Sequence, residues 1–229
     1  MKKINAILVF SAGLLLSGCK TDLIVPVNLS QLQSKNSSSQ NAEINVEVPS
    51  CQSYEDSRLE SSSLRDAKSE IALILPKSKY IECYKKKMES FARFEMPVSL
   101  IAASKDDKLS QDDFYILSQK DIGVELAVRV PEKVKSEIEK SKKRTFGVGG
   151  NDFNIIVKLK NDTDEPFKFS PLASFIEDYP IVSSNGYPIT IGKGESITIK
   201  LSDVSVAASL DKRFKAARVL DTPSKESKS

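Results

Sequence analysis

The side chains able to do chemistry in this chain are few, and the pattern they make is mostly one of exclusion. Cysteine stands at positions 19, 51 and 83, and histidine is absent from all 229 residues. Imidazole is the side chain best suited to proton transfer near neutral pH and the commonest metal ligand. Its absence excludes a Ser-His-Asp hydrolase, a Cys-His protease and a His-rich zinc site. Ser209-Leu210-Asp211-Lys212 sets a hydroxyl and an amine at S-x-x-K spacing, and Ser183-Ser184-Asn185 supplies an S-x-N. In the acylating enzymes that use these motifs, S-x-x-K comes first and K-T-G follows. Here the order is reversed and K-T-G is missing, so the match reads as accidental. Asp106, Asp107, Asp112 and Asp113 crowd one short loop without the glycine and terminal glutamate of a dedicated calcium loop, and read as a solvated acidic turn. Glu177 and Asp178 have no partner carboxylate that spacing identifies. Gly147-Val148-Gly149-Gly150 lacks a surrounding βαβ unit and reads as a joint, not a dinucleotide loop.

Cys19 stands in a more specific setting. Lys2 and Lys3 precede the apolar stretch Ile4 to Leu16, which Leu16-Ser17-Gly18-Cys19 closes. A basic start, a short apolar segment and small residues at its end are the parts of a secretory signal. The stretch falls short of the roughly 20 residues a spanning helix needs. Leu16 to Cys19 resemble the bacterial lipobox, with all four positions filled. The resemblance implies cleavage between Gly18 and Cys19, a diacylglycerol on the Cys19 thiol and an acyl chain on the new amine, with no other cofactor. Two or three acyl chains hold a protein durably on a bilayer where one is marginal. Lys20, in place of the aspartate that favours inner-membrane retention, implies the periplasmic face of the outer membrane in a Gram-negative host. The alternative is an ordinary secretory signal in which Cys19 is incidental.

Removing residues 1–18 leaves 211 residues and lowers the formal charge from +3 to +1. That balance gives no support to a nucleic-acid partner. Cys51 and Cys83 remain as an even pair, and in an oxidising compartment they are expected to form a disulfide. Two buried thiols or a redox pair are the competing readings, though a separation of 32 is nothing like C-x-x-C.

The elements that would position these residues suggest an α+β chain in two regions. Residues 19–41 read as a lipidated tether: SKNSSSQN at Ser34 to Asn41 is polar and without period. Leu23 to Leu29 is apolar and strand-like, a segment able to dock on the domain. Residues 42–145 form the first region. Ile44, Val46 and Val48 alternate in a strand, and Leu64, Ala67 and Ile71 make a helical stripe stopped by Pro76. After basic Lys85-Lys86-Lys87, a long strand from Phe91 bends near Pro97, and Val124 to Val130 alternates. Glu132 to Lys143 reads as a surface helix with a Val134 and Ile138 line. Its basic end either offsets the helix dipole, the favoured reading, or touches anionic headgroups.

Residues 151–221 form the second region, a small antiparallel sandwich-like sheet with turns at Asn161–Asp164, Asn185-Gly186 and Gly192–Gly194, closed by a helix from Val204 to Leu220. Residues 222–229 read as a disordered tail. Tyr179 and Tyr187, bracketing Asn185-Gly186, are the candidate contact surface, since tyrosine is enriched at interfaces; packing at a sheet edge is the other reading.

The Leu-Ser-Gly-Cys-Lys-Thr-Asp start, Val48-Pro49-Ser50-Cys51, Leu159 to Thr163, and Gly194 to Val204 together resemble a family of short lipoproteins of enterobacteria and their bacteriophages, without settled function. The resemblance implies no catalytic residues and a prophage-encoded envelope protein. The expected function is a non-enzymatic binding module, anchored to the bilayer through Cys19 and meeting an envelope protein, in superinfection exclusion or host-surface modification. The alternatives are an envelope enzyme acting on peptidoglycan or lipid, and a structural or assembly lipoprotein.

Overall fold

A computed structural model describes residues 20–34, 36–102, 113–118, 124–144, 153–181, 188–211, 213 and 216–222. Expectations for Gly18, Cys19, Asp106, Asp107, Asp112, Gly147 to Gly150, Asn185, Tyr187 and Lys212 lie outside the described residues.

Apolar alternation builds most of the chain into one sheet. Leu23, Val25 and Val27 face the core from β1 (Thr21–Asn28), which leads into a single helical turn, α1 (Leu29–Gln33). Ile44, Val46 and Val48 do the same from β2 (Ser38–Val48). Ser61 caps α2 (Ser62–Ile74) by accepting the Leu64 N–H, and Leu64, Ala67, Ile71 and Ile74 bury its apolar stripe. The hairpin of β3 (Lys79–Lys86) and β4 (Glu89–Ala102) follows. Next come β5 (Tyr115–Ser118), β6 (Val124–Arg129), α3 (Glu132–Arg144) and β7 (Phe153–Lys160). The chain then runs through β8 (Phe167–Pro171), β9 (Ser174–Ile176), β10 (Tyr179–Ile181), β11 (Ile189–Ile191) and β12 (Ser196–Leu201). It closes with α4 (Asp203–Leu210) and β13 (Ala217–Asp221).

Twelve strands follow the order β10-β9-β12-β7-β1-β2-β4-β5-β6-β13-β8-β11, and β3 pairs with β4 beside that path. β4 serves two partners on one edge: its Glu89–Glu95 half pairs with β3 and its Ser99–Ala102 half with β5. Pro97, without an N–H to give a ladder, falls in the gap between them. β8 and β9 stand near opposite ends of the order, yet only Leu172 and Ala173 separate them. A sheet whose ends are joined by two residues must curl upon itself, and this one forms a partly closed barrel around a continuous core.

This architecture corrects the α+β expectation. The chain is mostly β, with four short helices among the described residues packed against one curled sheet. The two expected regions are interleaved: β1 pairs in parallel with β7 over eight residues, and β13 pairs with β6. The helix expected from Val204 to Leu220 ends at Leu210; Val219 and Leu220 are fully buried in β13. Their spacing suits a helix, but pairing with β6 and β8 overrides local periodicity. Ser174 to Ile181 form a tight hairpin, β9 to β10, with Glu177 at φ 51° in its turn. The Gly192–Gly194 turn does not close a hairpin, because β11 pairs with β8 while β12 pairs with β7.

Residues 21–34 and 36–41 do not hang as a tether. β1 is a central strand, paired with β2 on one side and β7 on the other. Ser38–Asn41, linker-like in composition, extends β2 against Pro97–Leu100. α1 is pinned from far away: the Ser30 N–H donates to the Asp162 Oδ1 at 2.8 Å. Burial works against ionisation of Asp162, but the hydrogen bonds from Ser30 outweigh it and hold the carboxyl below its usual range.

Candidate functional site

Cys51 and Cys83 form a disulfide, with Cα atoms 5.7 Å apart. The bond ties the loop after β2 to β3, and the Cys51 Sγ lies 3.9 Å from the Tyr84 carbonyl oxygen.

Among the described residues, Ser209, Asp211, Glu177 and Asp113 are each occupied with structure. Ser209, of the S-x-x-K match, is buried and donates to the Val206 carbonyl at 2.7 Å, a bond made within its own helix. Asp211 pairs with Arg213, whose hydrogen bonds draw the carboxyl down to about 2. Glu177 accepts the Thr198 N–H at 2.8 Å and so fastens the β9–β10 turn to β12. Asp113, the described member of the acidic loop, is ion-paired with Lys77. Tyr179 is 76 % exposed on β10, one of the end strands of the described order. Tyr179 follows directly on the Glu177-Asp178 turn of that hairpin.

Two buried polar residues escaped sequence reading. Lys135 lies on the same α3 face as Val134, Ile138 and Ser141, and its side chain is wholly buried. Its Nζ donates to the Asp211 carbonyl oxygen at 3.1 Å and meets the Glu132 Oε1 at 3.0 Å. Asp211 is the C-cap of α4, so a cation here both satisfies a terminal carbonyl and complements the helix dipole. Lys135 stands three residues before Ile138, but the carbonyl that gives it a buried role comes from 76 residues away. Lys135→Met keeps the apolar stem and deletes the ammonium. It is expected to lower unfolding stability by about 1–3 kcal/mol, read from the urea midpoint at constant slope.

The other is Asn161, hidden in a segment whose composition announces a turn. It is fully buried and makes every hydrogen bond its amide allows. Nδ2 donates to the carbonyls of Glu165 at 2.8 Å and Ile191 at 3.0 Å, while Oδ1 accepts from the Thr163 N–H at 3.0 Å and hydroxyl at 2.7 Å. Its backbone accepts from the Gly194 N–H and donates to the Glu195 carbonyl. Gly194 sits at φ +77°, the left-handed conformation that glycine adopts without steric cost.

The strand register defines one end of the barrel. Lys20 precedes β1 directly, and its carbonyl accepts the Glu47 N–H at 2.8 Å. Glu47 stands opposite Phe91, and Phe91 opposite Tyr84, so Lys20 shares a row with the last turns of β3. A groove of about 510 Å³ opens there between Lys20, Asp22, Asn45, Tyr84, Lys86 and Met88.

The model of a family described as a domain of unknown function, DUF7424, matches residues 21–225. The chain belongs to the DUF7424 family. The DUF7424 match begins at the first residue of β1 and takes in the thirteen strands of the described residues, both cysteines of the disulfide, Lys135 and Asn161. No curated protein and no solved structure matches the chain. Among the described residues of this DUF7424 chain, no helix is long and apolar enough to cross a membrane.

Proposed function

We propose that the protein is a membrane-anchored lipoprotein, acylated on Cys19 and cleaved after Gly18, that acts as a non-enzymatic binding module at the periplasmic face of the outer membrane. The join between the lipobox and the fold carries the reading. Lys20 alone separates Cys19 from β1, and the family domain starts at Thr21. Residues 1–18 thus precede the folded domain as a removable signal would. The disulfide supports an oxidising compartment, where such bonds persist. An anchor at Cys19 would seat the barrel directly on the bilayer, leaving Tyr179 on the β10 edge to meet an envelope protein. The resemblance to phage lipoproteins favours superinfection exclusion or a change of the host surface as the role of that contact.

Intact-mass measurement on the membrane fraction tests the anchor, with native protein compared with Cys19→Ser. The expected result is a triacyl mass on a chain starting at Cys19, lost in the variant together with membrane attachment, and a gain of two protons on reduction of the disulfide. An unacylated native chain in the soluble fraction would sink the proposal. Expression without any change in phage adsorption or infection would remove the exclusion role while leaving the anchor.

A further inference from the structure

We infer that the β3–β4 hairpin tip is a second membrane contact, recognising anionic phospholipid headgroups beside the acylated N-terminus. The inference rests on the anchoring reading above for its source of membrane.

Register carries the argument. From the row shared by Lys20, Glu47, Phe91 and Tyr84, the direction in which the chain leaves β1 toward Cys19 is the direction in which β3 continues to Lys85 and Lys86. The tip, Lys87-Met88, thus stands two to three residues beyond the Lys20 row. At roughly 3.3 Å per residue that is about 7–10 Å, against the single residue from Lys20 to Cys19. β3 lies three strand spacings from β1, about 14 Å to the side. A bilayer reached by acyl chains on Cys19 must therefore meet the tip.

The tip's composition fits that surface. Lys85, Lys86 and Lys87 are exposed, and none is paired with a carboxylate among the described residues. Glu89, opposite Lys86, is the acidic side chain of the turn. Met88 is 100 % exposed at the apex. Three cations around one unbranched apolar side chain suit the boundary between headgroups and acyl chains. Lys87 also holds φ 57°, a conformation that a two-residue hairpin usually gives to glycine. Keeping a cation there despite the steric cost points the same way.

The chain has no tryptophan, so Met88→Trp makes the tip its own reporter. Leu73→Trp, exposed on α2 near the far end of β3, is the control. Each full-length, processed protein is placed on phosphatidylcholine vesicles with and without phosphatidylglycerol. The expected result is a blue-shifted emission from the Met88→Trp protein, quenched by brominated acyl chains only when phosphatidylglycerol is present. The quenching should be lost with Lys85→Gln, Lys86→Gln and Lys87→Gln together, and the Leu73→Trp emission should stay aqueous. Aqueous emission from acylated, vesicle-bound Met88→Trp protein overturns the inference and leaves the anchor standing; so does quenching indifferent to phosphatidylglycerol, or protection of the tip by an envelope protein instead of lipid. If the mass shows no acyl chains, flotation with phosphatidylglycerol vesicles decides separately. A fall of roughly fivefold in partition per lysine removed keeps the tip and discards the anchor, and no flotation overturns both.

Discussion

Replacing Cys51 and Cys83 together by serine is expected to lower the unfolding free energy by about 3–4 kcal/mol. The bond closes a loop with sequence separation 32 that contains most of the irregular segment after β2, all of α2 and most of β3. Without it, the unfolded chain regains the freedom of that loop, while the folded chain loses the fastening of residues 51–60 to the sheet. Besides the disulfide, that segment is held by one isolated bridge, Gln52 to Glu60, by turn bonds such as the Ser53 N–H to the Leu59 carbonyl, and by the Lys68–Glu60 ion pair to α2, while Tyr54 and Leu59 stay exposed. α2 should loosen with it, because its Ser61 cap is positioned by bonds to Ser50 and Cys51. The check is urea unfolding of the native and doubly substituted proteins under oxidising conditions. A change under about 1 kcal/mol would mean that α2 and β3 hold the loop ends without the bond.

Asn161→Ala should lower stability by about 2–4 kcal/mol, and Asn161→Asp by at least as much at neutral pH. The amide joins the end of β7, the loop into β8, and the end of β11 in one buried point. Alanine strands the carbonyls of Glu165 and Ile191 and leaves the Thr163 N–H without its acceptor. Aspartate restores an acceptor for Thr163 but turns a second carboxylate oxygen on the two carbonyls, with a buried charge besides. Hydrogen exchange gives the more local reading: protection should fall first in β11 and the Gly192–Glu195 turn. Unchanged exchange there would show that β8 pairing alone secures β11.

Much of the local structure was legible because it is built from period. The alternations in β2, β6 and β7 and the stripe of α2 are written in side chains that face one core. The β1 alternation was equally visible at Leu23, Val25 and Val27, but the serine-rich stretch beside it pulled the whole segment toward a linker reading. What period cannot express is partnership. Nothing local says that β1 will lie beside β7, or that β11 and β12, two sides of a glycine turn, will join different neighbours. The sandwich expectation failed there, and so did the division into two regions. Candidate sites followed the same rule. The disulfide was legible from the count and separation of cysteines. Lys135 and Asn161 were not, since each takes its meaning from backbone carbonyls brought in from another part of the chain.

The central position of β1 has a consequence for the order in which the molecule can come into being. In a chain threaded from its N-terminus, off a ribosome or through a pore, Thr21–Asn28 emerges first, yet its parallel neighbour Phe153–Lys160 emerges about 130 residues later. Every strand of the path between β10 and β1 is made after that point. Pairings so distant in sequence form slowly, after loop-closure entropy has been overcome. The first-made strand must therefore wait, half-paired, with β2 alone beside it, while the rest of the sheet arrives.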